Sequence, residues 1–596
     1  MQSTKPKAVA GRPFLSIWRY NLPYWRAYTA GAFLAIVFTG LGLGVPLVVK
    51  LIVDRLQAGE MTTGHLLGAF GLLVLIALAT GVARFYHRIL MIGASRRFEY
   101  QLRNDYFRHV QRQSQSFFNR TKTGDIMARA TNDLNFARAF IGPGVMGTVD
   151  MVRLPFTLGF MVYLSPVLTL WALLPLPFLS LMVYGFVMYM HRQSKRVQEQ
   201  FSNVTAFAQE NLAGARVVKA YGIEDRQTGR FHKESEKYMW ENMRLSFIMA
   251  LAWPVIGVSV GATILIVIWQ GGLMAINGQL SLGDLTAFIF CIGLLAWPLA
   301  EFGWVLTLYQ RGAVGMNRIN EILTAPPEIA DGEQTRSDIT DITGAIRFNS
   351  AAFSYADEEP ALNGVSFDVA PGQTMAITGP TGAGKSTLVS LITRQHEATR
   401  GHVYIDGHDI RTIPLQVLRG AIGYVPQDAF VFSDTVRANL AFGRPDASQS
   451  ELEHACDTAQ LLETIRELPE GFDTLLGERG VNLSGGQKQR LTIARALLRQ
   501  PRILILDDSL SSVDTRTEEE ILTRLKLHAA GITTVLISHR ISTVQHADLI
   551  LVLENGRIAE QGRHASLAAQ GGLYAAMQQR QLLEAELEDG EGEPRS

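Results

Sequence analysis

The stretch at 503–514 reads ILILDDSLSSVD. Four branched apolar residues run directly into two adjacent carboxylates, Asp507 and Asp508, a pattern that predicts a buried strand ending where chemistry can take place. One acid at a strand end is common, because Asp suits turns and often caps the next helix. Two in a row suggest a division of labour, with Asp507 beside a metal and Asp508 acting as a base on water.

The partner for these carboxylates lies upstream, in GQTMAITGPTGAGKSTLVSLI at 372–392. A short apolar strand precedes Gly379 and a helix is expected after Lys385. Gly379, Pro380, Thr381, Gly382, Ala383, Gly384, Lys385 and Ser386 fit G-x-x-x-x-G-K-[ST] in the context that motif requires, with Thr387 beside it. The glycines let backbone N–H groups close around phosphates, and the helix N-terminus adds its positive end. Lys385 is placed to reach the β- and γ-phosphates and Ser386 to ligate Mg²⁺. An apolar strand ending in Asp507 is what a phosphate-bound Mg²⁺ needs beside such a loop, with water between them. ATP and Mg²⁺ are therefore the expected cofactors.

Between the two motifs lies VNLSGGQKQRLTIARALLRQP, at 481–501. Leu483, Ser484, Gly485, Gly486 and Gln487 open a helix whose free N–H groups form a second anion site. Taken alone, this is an ordinary Ser N-cap followed by glycines. Beside a P-loop it has no obvious target unless another chain's nucleotide supplies one, which points to two ATPase domains sandwiching two nucleotides.

The rest of the 596-residue chain is too long for one core. The first ~310 residues carry long apolar runs and the remainder alternates like an ordinary soluble protein, so the mean hydropathy of +0.11 averages two unlike halves. Six segments, near 28–53, 64–92, 140–163, 166–190, 247–271 and 284–308, are long and apolar enough to span ~30 Å of hydrocarbon. Basic residues crowd the loops 93–137 and 191–245, while the opposite connections are short and nearly uncharged. Positive loops stay in the cytoplasm, so both termini and the ATPase half are expected there, with the chain multi-pass in the plasma (inner) membrane. No cleavable signal peptide is expected within 1–27, whose aromatic and Arg residues suit a helix lying in the inner interface. Lys plus Arg equals Asp plus Glu, at 55 each, so net charge gives no hint of a nucleic-acid partner. Cys291 and Cys456 do not make a disulfide framework.

The two basic loops are too long to be mere connectors. Their tips are expected near 121–134, where Gly124 and Asp125 break the helical pattern, and near 210–226, with a plain solvated helical hairpin as the alternative for each. Arg84, Asp150, Arg153 and Glu301 fall within spans. They line a polar cavity open to the inner side, or else snorkel or pair between helices.

On these marks the chain resembles the ABC transporters of exporter type, over almost its whole length. The specific matches are GPTGAGKST, LSGGQ, ILILDD, SSVD (511–514) and the His539 of VLISHR. The resemblance implies further roles. Gln427 in YVPQD matches the loop linking Mg²⁺ and the lytic water to the membrane domain. Tyr355 matches the aromatic that stacks on adenine. Asp514 closes the D-loop, and Glu478 in GERG matches a segment touching a coupling helix. His539 and Asp508 occupy catalytic positions.

The fold implied is a six-span α-helical transmembrane domain followed by an α/β P-loop ATPase domain. The expected boundaries are an interfacial segment at 1–27, a membrane domain at 28–322, a linker at 323–345, an ATPase domain at 346–580 and an acidic tail at 581–596. The function implied is ATP-driven export or flipping of a hydrophobic or amphipathic drug, lipid or peptide by alternating access, as half of a dimer. The family usually places Glu after the Mg²⁺-associated Asp, and here Asp508 stands there. A shorter base points to a slow site and to a non-identical partner half-transporter, as in heterodimeric multidrug exporters. A homodimeric lipid flippase and, from another class, a nucleotide-gated channel or regulatory subunit are the competing readings. A soluble ATPase of DNA maintenance is at odds with six spans.

Overall fold

The computed structural model describes residues 8–355, 359–477, 480–528 and 531–590. They fall into two compact units: 8–111 with 123–325, and 112–122 with the described residues from 326 to 590.

The first unit is helical throughout. Its main helices are Trp25–Gln57, Thr63–Val110, Leu176–Ala213, Glu224–Ile276 and Leu282–Thr324, with shorter pieces at Arg153–Leu164 and Pro166–Leu173. Each of the six apolar segments lies in helical chain. Three helical stretches among the described residues, Pro13–Gln57, Thr63–Val110 and Thr123–Leu164, are long and apolar enough to cross a membrane. Only 11% of the apolar window of Thr63–Val110 is buried. Leu67, Phe70, Leu75 and Leu78 point outward from it, as a face that meets hydrocarbon rather than water would.

The run 123–150 is not one smooth helix. It contains two π-helical turns, Arg129–Asp133 and Phe140–Gly144. Pro143 lies in the second, where a missing N–H prevents regular α hydrogen bonding. The helix Leu282–Thr324 closes tightly on this run at Gly312, where a Cβ would lie 2.4 Å from the Cβ of Phe140. Before the first span, the short helix Pro13–Asn21 buries Ile17 and Tyr20 and exposes Phe14 and Trp18.

The second unit is built on two sheets. Strands β1 (Ile346–Ser354), β2 (Pro360–Val369), β4 (Arg400–Ile405) and β5 (His408–Asp409) form an antiparallel sheet ordered β2-β1-β4-β5. Strands β3 (Thr374–Thr378), β6 (Ile422–Val425), β7 (Ile503–Asp507), β8 (Thr533–Ile537), β9 (Leu549–Glu554) and β10 (Arg557–Gly562) form the second, ordered β10-β9-β3-β8-β7-β6. All its pairings are parallel except β10 with β9. Parallel strands are covered on both faces, which is why β7 is apolar at successive positions rather than alternating. All five of its residues are buried.

Two segments differ from expectation. The polar stretch 325–345 has no helix or strand, yet it is packed down. Ile339 and Ile342 are buried in the ATPase core, and the Asp406 carboxylate accepts from the backbone N–H groups of Thr343, Gly344 and Ala345. Composition reads the Pro and Gly but not the two isoleucines that anchor them. The acidic end, expected as a solvated tail from 581, is helical as far as Gly590 in Leu573–Gly590, with Leu582 and Leu583 exposed. Its Glu and Leu residues are good helix formers, and the helix is anchored by Tyr574, fully buried at its first turn.

Ile505 sits at the centre of β7 with no exposure. Ile505→Ala is expected to cost about 3 kcal/mol and to lower the midpoint of heat-induced loss of nucleotide binding by roughly 5–10 °C. A thermal series on the detergent-purified chain measures this, and an unchanged midpoint would mean β7 is not central to the core.

Candidate nucleotide site

The phosphate loop connects β3 to the helix Lys385–Ile392. Gly379 leaves the strand with φ 138°, and a Cβ there would lie 2.1 Å from the carbonyl oxygen of Leu553. Only glycine allows this backbone to pass so close to β9. Lys385 Nζ donates to the carbonyls of Gly379 (2.9 Å) and Pro380 (2.8 Å), so its ammonium lies across the mouth of its own loop. Burial pulls its pKa below the usual lysine range, against the opposing pull of Asp508 and Asp507.

The sheet order sets β8 between β3 and β7, which brings the end of β7 to the phosphate loop. Ser386 Oγ donates to Asp507 Oδ1 at 3.0 Å, and the Tyr424 hydroxyl reaches Oδ2 at 3.4 Å. Asp507 is buried. Burial raises its pKa, and the two hydroxyls work against that rise. Tyr424 is a contact the motif reading missed. It lies three residues before Gln427 on β6, and the only signal in the sequence was an aromatic in an otherwise aliphatic strand.

Asp508 leaves the strand with φ 45°, a left-handed conformation that Asp tolerates better than most residues. Its N–H donates to the Ile537 carbonyl (3.0 Å), and its own carbonyl accepts from Ser511 Oγ (2.9 Å). Its carboxylate faces His539, with Oδ1 3.1 Å from Nδ1. Tyr355, Thr381, Gly382, Gly384, Thr387, Gln427 and His539 line one cavity of about 390 Å³ together with Gly379, Lys385, Ser386, Asp507 and Asp508.

The LSGGQ segment is elsewhere. Ser484 caps the helix Gly485–Leu498: its Oγ accepts from Gln487 N–H (3.3 Å), and Gln487 Oε1 accepts from Ser484 N–H (2.8 Å). Ser484, Gly485 and Gly486 line a separate hollow of about 320 Å³ with Ser512, Val513 and Asp514. Buried Gln489 ties the two segments by accepting from Ser512 N–H at 3.1 Å. Asp514 caps its own helix by accepting from Thr517 N–H. Leu483 is buried in the helical core below. Glu478 lies outside the described residues. Gly124 and Asp125 are in the first unit, where Asp125 pairs with Arg129 (2.9 Å) and Arg318 (2.7 Å). Arg84 and Arg153 flank the Phe38 ring, Asp150 faces His87 at 3.4 Å, and Glu301 lies against Gly147.

A helical membrane domain continuous with a P-loop domain of this build defines a transport ATPase. Residues 28–299 match the ABC transporter transmembrane region family and residues 362–511 the ABC transporter family. The chain is 39% identical to the multidrug resistance-like ATP-binding protein MdlA of Escherichia coli (strain K12), over 97% of this chain and 98% of that protein. It is 33% identical to an ATP-dependent lipid A-core flippase of Chromohalobacter salexigens, over 95% of this chain and 97% of that one. Among solved structures, a bacterial Atm1-family ABC exporter with ATP bound superposes with a TM-score of 0.75 at 28% identity, covering 93% of this chain and 98% of that chain. The chain belongs to the ABC transporter exporter family. It is an integral membrane protein that binds ATP and couples its hydrolysis to export.

Gly379→Ala is expected to weaken ATP binding by at least ~10-fold, since both φ and the Leu553 carbonyl oppose a Cβ. Displacement of a fluorescent ATP analogue from the purified chain measures this. Retained affinity would show that the loop is free to shift away from β9.

Proposed function

We propose that this chain is one half of an exporter dimer whose own nucleotide site hydrolyses slowly and whose partner is a different chain. The observation that carries this is the residue after Asp507. Asp508 holds the base position, fixed through its backbone at both sides and through its carboxylate by His539. Asp is one methylene shorter than Glu, which sets the carboxylate back on the order of 1 Å, and errors of that size cost about 10²-fold. The signature hollow does not share a single lining residue with the P-loop cavity. That separation suits a signature turned toward a second chain's nucleotide. Within this reading Lys385 and the loop from Gly379 to Thr387 hold the phosphates, Tyr355 stacks on adenine, Gln427 orients water, and His539 holds Asp508.

The oxygens at the site fit Mg²⁺, which prefers hard ligands and keeps several waters. Ser386 and Asp507 converge at 3.0 Å, and no cluster of three or more metal-binding side chains occurs among the described residues. Ser386 would hold the ion directly and Asp507 through water, with Gln427 on the same cavity wall, and phosphate and water would complete the shell. When bound, Mg²⁺ neutralises charge developing on the phosphates. Tyr424 and the burial of Asp507 hold the carboxylate in one orientation.

The cargo is a hydrophobic or amphipathic molecule, in line with relatives named for multidrug resistance and for lipid A-core flipping. The basic loops support a cytoplasmic position for both termini and the ATPase domain, with the spans in the plasma membrane. The second loop ends in the short helix Ala215–Ala220, around which Leu212, Val217 and Tyr221 are 77%, 59% and 77% exposed. Apolar side chains gathered at the tip of a polar hairpin need a surface to cover them, and the dimer's ATPase domains provide it.

Expressed alone, the chain should be a poor ATPase, strongly activated by its missing partner, and Asp508→Glu should raise its own turnover by about 10²-fold. A lone chain that transports and hydrolyses briskly, unchanged by Asp508→Glu, would establish a homodimer with an adequate Asp base. At the second loop tip, Val217→Asp with Tyr221→Asp should abolish cargo movement into inverted vesicles and leave ATP binding intact. Normal transport in that double variant would reduce the loop to a spacer.

A further inference from the structure

The segment 112–122 comes from the first long loop, yet it belongs to the same compact unit as the ATPase domain. Within that unit it is fastened at two points. Ser114 Oγ donates to Glu328 Oε2 at 2.9 Å, and Arg120 pairs with the same carboxylate. Two residues on from Ser114, Ser116 Oγ lies 3.3 Å from Nδ1 of His396.

His396 is a buried imidazole, 6% exposed, just beyond the helix that the phosphate loop opens. Its ring meets Tyr355 at 5.4 Å between centroids and 84° between planes, and Phe353 at 5.0 Å. Phe353 in turn meets Tyr355 at 4.8 Å and 87°. Two rings thus brace Tyr355, while its hydroxyl is 3.2 Å from Thr387 Oγ1 of the phosphate loop. Edge-to-face contacts of this kind fix ring orientation as well as adding attraction. Burial keeps His396 below the usual histidine range, with Glu328 pulling the other way, and its Nδ1 stands at hydrogen-bond distance from Ser116.

We infer that His396 is a positioning residue that ties the loop segment at Ser116 to the aromatic platform of the nucleotide base, so that the position of the loop sets how strongly the base is held. This rests on Tyr355 stacking on adenine. Ser116 touches no nucleotide in this arrangement, and its effect passes through two side chains. Loop movement then changes the contribution of the base while the phosphate contacts stay as they are.

The test uses the full chain in detergent, with displacement of trinitrophenyl-ATP by ATP and by inorganic tripolyphosphate. The ratio of the two affinities reports the adenosine moiety, separated from the phosphates. Stacking on an aromatic side chain is worth about 1–3 kcal/mol, so Tyr355→Ala should lower the ratio roughly 10-fold. His396→Gln should lower it about 3–10-fold, and Ser116→Ala about 2–3-fold, both with tripolyphosphate affinity unchanged. His396→Phe keeps a ring against Tyr355 but has no atom for Ser116. It should hold most of the ratio, and adding Ser116→Ala to it should have no further effect. Retained tripolyphosphate affinity also certifies that each variant is folded. If Tyr355→Ala lowers the ratio while His396→Gln and Ser116→Ala do not, the link is overturned and the stacking stands. If Tyr355→Ala leaves the ratio unchanged, stacking itself is overturned and the link with it. A Ser116→Ala effect that persists in His396→Phe would also overturn the route through the imidazole.

Discussion

The contact between Ser386 and Asp507 joins the two halves of the nucleotide site, and much of the ATPase fold exists to make it. A carboxylate with almost no exposure is costly unless its oxygens are satisfied, and two hydroxyls satisfy these, Ser386 from the first turn of the helix after the phosphate loop and Tyr424 from β6. The contact requires β7 to lie one strand removed from β3, with β8 between. It also requires β7 to be covered on both faces, and hence to be apolar for its whole length. The acid at its end is then held by the sheet rather than by a loop. A rigid element places a reacting group more accurately than a flexible one.

The same rigidity explains the separation of the two anion-binding features. The phosphate loop and the signature turn both start helices, yet each is anchored to a different body of the domain. The first grows from the parallel sheet. The second rests on the helical core through Leu483 and is tied to the segment after β7 by Gln489 and Ser512. A protein that brought both to a single nucleotide within one chain would have to break one of these anchors. Exporters of this family work as dimers, and on the reading proposed above this geometry supplies a physical reason, with each chain carrying one cradle and one lid for its partner's nucleotide.

What could be read from sequence follows the range of the interactions. The phosphate loop, the strand ending in two acids and the helix-opening LSGGQ are local patterns, each with a backbone geometry that demands particular residues at short spacing. The membrane passages are legible because hydrocarbon demands long apolar helices. Tyr424 and His396 were not legible. Their roles depend on Asp507 and Ser116, which are remote in sequence, and neither stands in a spacing that any local geometry imposes. The stretch 325–345 misled by composition, because two buried isoleucines and one distant Asp outweigh its Pro, Gly and charge. The acidic tail is exposed where it is described, at Leu582 and Leu583, and what its composition did not reveal is the helix that a fully buried Tyr574 anchors.

The exposed Leu212, Val217 and Tyr221 have a bearing on the life of the chain before assembly. Apolar side chains standing in water at the end of a hairpin are the surface that chaperones and proteases recognise on unassembled subunits. If the dimer's ATPase domains cover this tip, as proposed above, a chain without its partner keeps that surface in water, and its persistence in the membrane then depends on the supply of whatever completes the dimer.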